Sequence, residues 1–348
     1  MEKVCLNDFV RRLLSYKVGS LGYTIAFERD STPLHQVVLH WAIASAGAVA
    51  SFWYYVIYIA NPEVHSALVG MTFLSSEAGD ENGRSLKRES RWLQYSLQDR
   101  IALFMPYTTT AAGLLIVLPS WLNPCIRSSL YSIMPLKYRG KIALVICSCE
   151  ELRFVMFLVA VAVPLYQFEV IAFDQICRKL GQLREKVAKA WVYPGKHAQR
   201  DYRSLRQLEL YVILFNMVHR YFIFTWKLQC ISVSIILGCA AIVHLQDHVV
   251  FGVMYYVVFV DAAAIYALVY QKAFAVPDSF GNTIQKVLER IRMDQPRGTW
   301  RSVMEKRLRS IPLVGIKVGS FNTLERISTA VFLDFVMRNI VGMLVMYS

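Results

Sequence analysis

Long apolar runs separated by basic stretches dominate the pattern of this 348-residue chain. A helix that crosses about 30 Å of hydrocarbon needs roughly 20 mostly apolar residues. Six runs meet that requirement, and each is predicted to be a membrane-spanning helix: 37–60, 101–122, 154–173, 228–245, 249–276 and 327–347. The stretch "KIALVICSCEELRF" before the third run contains Glu150, Glu151 and Arg153, so it is interpreted as an entry segment. The pattern therefore predicts an all-α, polytopic membrane bundle.

Basic residues predict the direction of the bundle, because Lys and Arg accumulate in cytoplasmic loops. The loops 61–100, 174–227 and 277–326 carry five, eleven and ten of them, all on one side. The opposite side carries five before the first run, five in 123–153 and none in the turn "QDH". The three basic loops are therefore expected in the cytoplasm and the C-terminus outside the cell.

The N-terminal segment 1–36 fits this orientation poorly. It is basic, it lacks a credible span, and it shows neither the apolar core nor the cleavage site of a removable signal peptide. We therefore expect that the intact architecture has seven helices, of which the first is absent here. The chain is then divided into 1–36, a bundle at 37–276, a cytoplasmic anchor region at 277–326 and a terminal pore helix at 327–348.

The cytoplasmic loops contain apolar stripes at helical spacing. The first stripe consists of Leu205, Leu208, Val212, Phe215 and Phe222, with Arg203, Arg206 and Glu209 on other faces, and its helix is expected to continue into the fourth span. The anchor region has two further stripes, Phe280, Ile284, Val287, Leu288 and Ile291, then Trp300, Val303, Met304 and Leu308. These helices are predicted to cover one another or a neighbouring chain. The alternative is that they lie flat on anionic lipid.

Composition supports the membrane class and argues against several others. Apolar residues make up 55% of the chain, which has a formal net charge of +13. The sequence has no P-loop, GxSxG or HExxH motif, so no enzyme and no cofactor are predicted. Its basic residues alternate with apolar runs, which argues against nucleic-acid binding. Seven cysteines show no CxxC spacing. A disulfide remains open among those expected outside: Cys125, Cys147 and Cys149.

Two polar features inside or beside the spans are candidates for a transport site or a metal site. Asp261 lies in the fifth run, where a carboxylate is either a transporter's coupling or proton-relay site or a structural residue. "HLQDH" brings His244, Asp247 and His248 to one turn. A zinc site needs at least three ligands in a defined geometry. Because this segment is a turn without a glutamate base, no metal site is predicted.

The last forty residues carry a family resemblance. The segment "RSIPLVGIKVGSFNTLERISTAVFLDFVMRN" resembles the Arg-x-x-Pro, the glycine-Phe turn and the terminal helix of the insect-type chemoreceptor superfamily of odorant and gustatory receptors. The resemblance implies seven helices, a cytoplasmic N-terminus, long basic loops and a short final helix with an extracellular end. Pro312, Gly315 and Gly319 are then expected to break the cytoplasmic helix, so that the chain turns into the membrane.

The resemblance also implies a function. Subunits of that family assemble as homo- or hetero-tetramers that form a ligand-gated, non-selective cation channel, so the final helix is expected to supply one quarter of a pore. Its predicted lining is Arg338, Gly342 and Val345, with Val345 as an apolar gate. This chain departs from the family where Thr-Tyr and a later Gln are usual, because it carries Arg338, Asn339 and Val345 there. Asp334 is expected to pair with Arg338.

The family's ligand pocket lies within the outer leaflet. Here its expected residues are Met156, Phe157, Met254, Tyr255 and Phe259. A small apolar odorant or tastant would be held by buried area, with the hydroxyl of Tyr255 or Tyr256 for orientation. Two alternatives remain: a multispan transporter that uses Asp261, and a receptor-like remnant that does not conduct.

Overall fold

A computed structural model of the chain describes residues 34–80, 136–189, 195–247, 249–294, 298–320, 322–325 and 328–347, with isolated positions 107, 110, 111, 114 and 131. Most of the second predicted span and most of the N-terminal segment lie outside these residues. Among the described helices, five are long and apolar enough to cross a membrane. The fold class predicted from the apolar runs, an all-α polytopic membrane bundle, is therefore confirmed.

Helices make up most of the described chain. The helices are α1 (Leu34–Tyr54), continued by a π-helical turn (Tyr55–Ala60), α2 (Pro62–Asp80), α3 (Lys141–Lys189), α4 (Gly195–Asp247), α5 (Val249–Val269), α6 (Gln271–Phe274), α7 (Val276–Asp294), α8 (Thr299–Arg309) and α9 (Ser328–Tyr347). A short 3-10 helix (Leu136–Tyr138) precedes α3. Two short strands, β1 (Lys317–Val318) and β2 (Asn322–Thr323), form an antiparallel hairpin between α8 and α9.

Two helices extend well beyond the thickness of a membrane. α3 has 49 residues and α4 has 53, so each is about 75–80 Å long at 1.5 Å per residue. The hydrocarbon core takes up only about 30 Å of that length. The prediction that the apolar stripe of the second cytoplasmic loop continues into the fourth span is confirmed by α4. The stretch "KIALVICSCEELRF" is the first part of α3 rather than a separate segment.

The fifth span ends earlier than the apolar run predicts. The run was expected to continue to residue 276, but α5 ends at Val269, and a turn at Tyr270 leads into α6. Polar contacts explain the difference. The ammonium of Lys272 lies 2.6 Å from Asp174 Oδ1 on α3, and the Tyr270 hydroxyl donates to Glu169 Oε2 at 2.9 Å. The apolar positions after Val269 therefore belong to the junction between α5 and α7.

The first basic loop contains a helix that the sequence did not predict. α2 starts at Pro62, where the missing N–H and fixed φ of proline suit the first helical position. Inside the fold, the Thr72 hydroxyl lies 2.7 Å from the Tyr211 hydroxyl, and Gln175 Nε2 donates to the Thr72 carbonyl at 2.5 Å. α2 is thereby joined to α3 and α4.

The helices of the second and third basic loops pack on one another within the chain. All five apolar residues of the predicted α4 stripe are buried, as are Phe280, Ile284, Val287 and Ile291 of α7. On α8 only the Met304 and Leu308 side of the predicted stripe is buried, because this short helix presents one edge to α7 while Trp300 and Val303 stay part-exposed. Glu209 also differs from the prediction. It is buried, and Arg206 Nη1 donates to it at 2.6–2.7 Å.

A charged cluster holds α7 against α8. Glu305 lies within 4 Å of three arginines, at 3.0 Å from Arg301, 3.4 Å from Arg292 and 3.9 Å from Arg309. The hydrogen bond from Arg301 lowers the pKa of Glu305. Because one carboxylate meets three cations, this end of α7 and α8 remains basic.

Candidate functional site

The segment "RSIPLVGIKVGSF" folds as a hairpin docked on α4. Lys317 pairs with Thr323 and Val318 with Asn322 across the two strands. Gly319 follows β1 with φ of +63°, a left-handed conformation that glycine adopts at little cost. Its N–H donates to the Arg220 carbonyl at 2.8 Å. At the predicted break after α8, the chain therefore forms a hairpin that is hydrogen-bonded to α4.

One side chain fixes this hairpin. Asn216 on α4 is buried, its Nδ2 donates to the Gly315 carbonyl at 2.9 Å, and its Oδ1 accepts from the Lys317 N–H at 2.9 Å. Gly315 is equally constrained, because an added Cβ would collide with Thr323 Cγ2 and lie 2.8 Å from Pro277 Cγ. The start of α9 is thus tied to both α4 and α7.

One face of α9 packs against its own chain. Phe332, Val336 and Ile340 recur at helical spacing, and all three are buried. The Phe332 ring lies 4.4 Å from the Tyr266 ring of α5, between centroids. A Cβ on Gly238 of α4 would lie 2.7 Å from Ile340 Cδ1, so the two helices approach closely there. This face therefore fixes the rotation of α9.

The opposite face of α9 is uncovered. Only 17% of its apolar window is buried, against 39–50% in the other four candidate spans. The predicted pore residues lie on this face: the side chain of Arg338 is 80% exposed, Val345 is 70% exposed, and a Cβ on Gly342 would meet nothing within 4 Å. The expected pair forms, since Arg338 Nε donates to Asp334 Oδ1 at 2.9 Å.

The position of this pair limits what can cover the uncovered face. Arg338 lies near the middle of α9, ten residues after Ser328 and nine before Tyr347. In the middle of a bilayer, a charged side chain costs about 3 kcal/mol or more unless it is paired or hydrated. The ion pair reduces this cost, but two polar side chains still disfavour contact with lipid tails. Water or another protein surface is the physically suitable neighbour.

The five predicted ligand residues lie in two places. On α3, Met156 is exposed, and Phe157 packs against the main core with its ring 6.5 Å from that of Tyr54. On α5, Met254 and Tyr255 belong to a separate small core with Leu237, Ala240 and Ala241 of α4. Phe259 packs against both cores. The ligand pocket therefore stays a prediction.

A separate cavity of about 560 Å³ lies at the start of α3. It is lined by Tyr138, Gly140, Lys141, Ile142, Ala143, Ile146 and Cys147. None of the five predicted ligand residues lines it.

A buried polar cluster was not predicted from the sequence. Glu169 and His219 are fully buried, and Glu169 Oε1 lies 3.7 Å from His219 Nδ1. The His219 ring stacks on Phe215 at 4.6 Å and lies 5.6 Å from the His65 ring. Together with the bond from Tyr270, these contacts join α2, α3, α4 and the turn after α5. The signal was a glutamate inside "LYQFEVIAF", a position as unusual as that of Asp261.

The remaining polar candidates are Asp261, the histidine turn and the cysteines. Asp261 is half-buried on α5. Within the described residues, no three His, Cys, Asp or Glu side chains are grouped for metal binding. His248 and Cys125 lie outside the described residues, while Cys147 and Cys149 are not bonded to each other.

Comparison with known proteins shows which fold this arrangement of helices resembles. No protein-family model and no curated protein sequence matches the chain. Among solved structures, it is similar to the insect olfactory receptor OR5 from Machilis hrabei, with a TM-score of 0.62 and 13% identity. The similarity covers 98% of this chain and 88% of that chain. At this identity the likeness concerns the fold, so the chain has the insect chemoreceptor-type fold, a polytopic bundle of membrane helices.

Proposed function

We propose that the chain is a chemosensory receptor subunit that forms a ligand-gated, non-selective cation channel with copies of itself or with related subunits. The natural ligands would be small apolar odorants or tastants. Two findings support the proposal: the fold is similar to that of an insect olfactory receptor, and the described residues leave one face of α9 uncovered.

The uncovered face of α9 is the observation that carries the proposal. Asp334, Arg338, Gly342 and Val345 follow one another at intervals of three or four residues, opposite the buried face of Phe332, Val336 and Ile340. A helix that buries one face and carries a charged pair on the other suits the wall of a water-filled conduit. The resemblance stated from the sequence implies four such helices around one axis.

Conduction and gating then follow from side-chain size and charge. The paired Asp334 and Arg338 together add no net charge to the wall, so cations can pass. Val345 lies two turns further along, where four valines would form an apolar constriction that closes by dewetting. Gly342 leaves the wall wide between these two levels. Ligand binding among α3, α4 and α5 would shift α9 through its buried Phe332 face.

Assembly would use a second uncovered surface. On the cytoplasmic half of α4, Leu210, Ile213 and Met217 recur at helical spacing and are all exposed. An exposed apolar stripe below the membrane is suited to a neighbouring subunit. We therefore place contacts between subunits along this part of α4 as well as along α9.

Expression in oocytes tests the function. Cells that produce the chain, alone or with a related receptor subunit, are expected to show ligand-evoked, non-selective cation current with a panel of odorants and tastants. Water-injected cells and Val345→Arg, which places a ring of charge at the proposed gate, serve as controls and should stay silent. Surface labelling of the variant shows that it reaches the plasma membrane.

Other outcomes would contradict the channel. Electrogenic uptake that is abolished by Asp261→Asn would identify a transporter instead. Silence toward the whole panel, with every partner subunit tried and with protein present at the surface, would identify a non-conducting receptor-like protein.

A further inference from the structure

Arg220 carries a positive charge that the described chain does not neutralise. Its guanidinium carbon lies 4.7 Å above the centre of the Tyr221 ring, and its Nη2 donates to the Tyr221 hydroxyl at 3.3 Å. Its Nε is buried and donates to no acceptor among the described residues. No carboxylate of the described residues lies within 4 Å of the Arg220 guanidinium. An arginine in this state retains donors for an external anion.

Two hydroxyl groups lie close together beside the Arg220 side chain. The Tyr221 hydroxyl lies 3.2 Å from the Ser320 hydroxyl at the tip of the hairpin, and both residues are exposed. The Gly319 N–H holds the tip in place through its 2.8 Å bond to the Arg220 carbonyl. We call Arg220, Tyr221 and Ser320 the hairpin patch. A guanidinium beside two hydroxyls matches the oxygens of a phosphate group.

An apolar track begins directly beside the hairpin patch. Phe224 and Leu228 are exposed, and they lie one and two turns after Tyr221 on the same face of α4. The apolar run of α4 starts at Leu228, and α9 begins at Ser328. The hairpin patch therefore lies at the level where both helices enter the membrane. Aromatic residues and Arg or Lys are enriched at that level.

We propose that the hairpin patch binds the phosphate of an anionic phospholipid, whose acyl chain lies along Phe224 and Leu228. A phosphate below an apolar track is the arrangement of a phospholipid at a membrane surface. Lys317, exposed on the same hairpin, adds positive charge and favours an anionic headgroup over a zwitterionic one. The orientation proposed above would make this the cytoplasmic leaflet. Lipid binding itself depends on neither that orientation nor channel activity.

Native mass spectrometry of the purified full-length protein in detergent tests the site. We expect dioleoyl phosphatidylglycerol to bind more tightly than dioleoyl phosphatidylcholine. Arg220→Gln should weaken phosphatidylglycerol binding roughly fivefold, about the contribution of one basic residue near an anionic surface. Ser320→Ala should weaken it less, and Arg220→Lys should retain part of the affinity. The matched control is Arg203→Gln, an exposed arginine on the same helix, which should leave binding unchanged.

Several results would overturn the lipid site. Arg220→Gln and Arg203→Gln could weaken binding equally, which would indicate unspecific attraction. Inorganic phosphate could displace phosphatidylglycerol, which would identify a site for free phosphate. A structure of the assembled protein could show a second copy over Tyr221 and Ser320, which would identify a subunit contact. Because all variants are compared by binding, a failure here is distinguishable from a failure of the channel proposal.

Discussion

Asn216→Ala is expected to lower the melting temperature of the detergent-purified protein by roughly 5 °C or more. The substitution removes both bonds to the hairpin and leaves the Gly315 carbonyl and the Lys317 N–H without their partner. The lost bonds and the unpaired backbone groups each cost about 1–3 kcal/mol, most at the buried Gly315 carbonyl, so the free energy of unfolding should fall by roughly 2–4 kcal/mol. Ligand-evoked current should fall further than the amount of protein, because the hairpin sets the start of α9.

The matched control is Gln207→Ala on the same helix. Gln207 is exposed, so truncating its amide should shift the melting temperature little. A melting temperature of Asn216→Ala within about 1 °C of Gln207→Ala would show that Asn216 does not hold the hairpin.

Charge substitutions on α9 are expected to change cation current in opposite directions. Asp334→Asn leaves Arg338 uncompensated, and four such arginines at about 6 Å would together oppose a cation by about 3 kcal/mol in water. After screening by salt, we expect a loss of current of roughly tenfold or more. Arg338→Gln leaves Asp334 uncompensated and should raise the preference for cations over chloride. Current–voltage relations at two chloride concentrations measure both effects.

The double variant Asp334→Asn/Arg338→Gln is the internal control. It restores a neutral wall and should conduct more like the original chain, provided that surface labelling confirms equal amounts of protein. If both single variants reduced the current equally without changing selectivity, the pair would have a structural role outside the conduit.

Local patterns in the sequence were enough to predict several of the helices and their buried faces. The stripe through Leu205, Val212 and Phe222 needed only the period of an α-helix, and the contact between Asp334 and Arg338 needed only a four-residue spacing. Both features are set within one helix. The class of the fold followed from the length of the apolar runs in the same way.

Contacts between distant parts of the chain were not predictable. Asn216 meets the hairpin across about 100 residues, and its surroundings on α4 look like those of any amide on a helix. Glu169 lies in an apolar run and finds Tyr270 across 101 residues. The end of α5 was not predicted because most residues after Val269 are still apolar. The contact between Lys272 and Asp174 that accompanies the turn forms only in the folded chain. Each position depends on which helices become neighbours, which one sequence does not reveal.

The structure of the assembled protein in a lipid nanodisc, determined by cryo-electron microscopy, tests the central claim most directly. The account predicts that α9 of every subunit borders the symmetry axis, with Arg338, Gly342 and Val345 facing it and Phe332 turned toward the subunit's own α5. Single isolated chains, or an assembly in which the Arg338 face of α9 points to lipid or lies far from the axis, would contradict it.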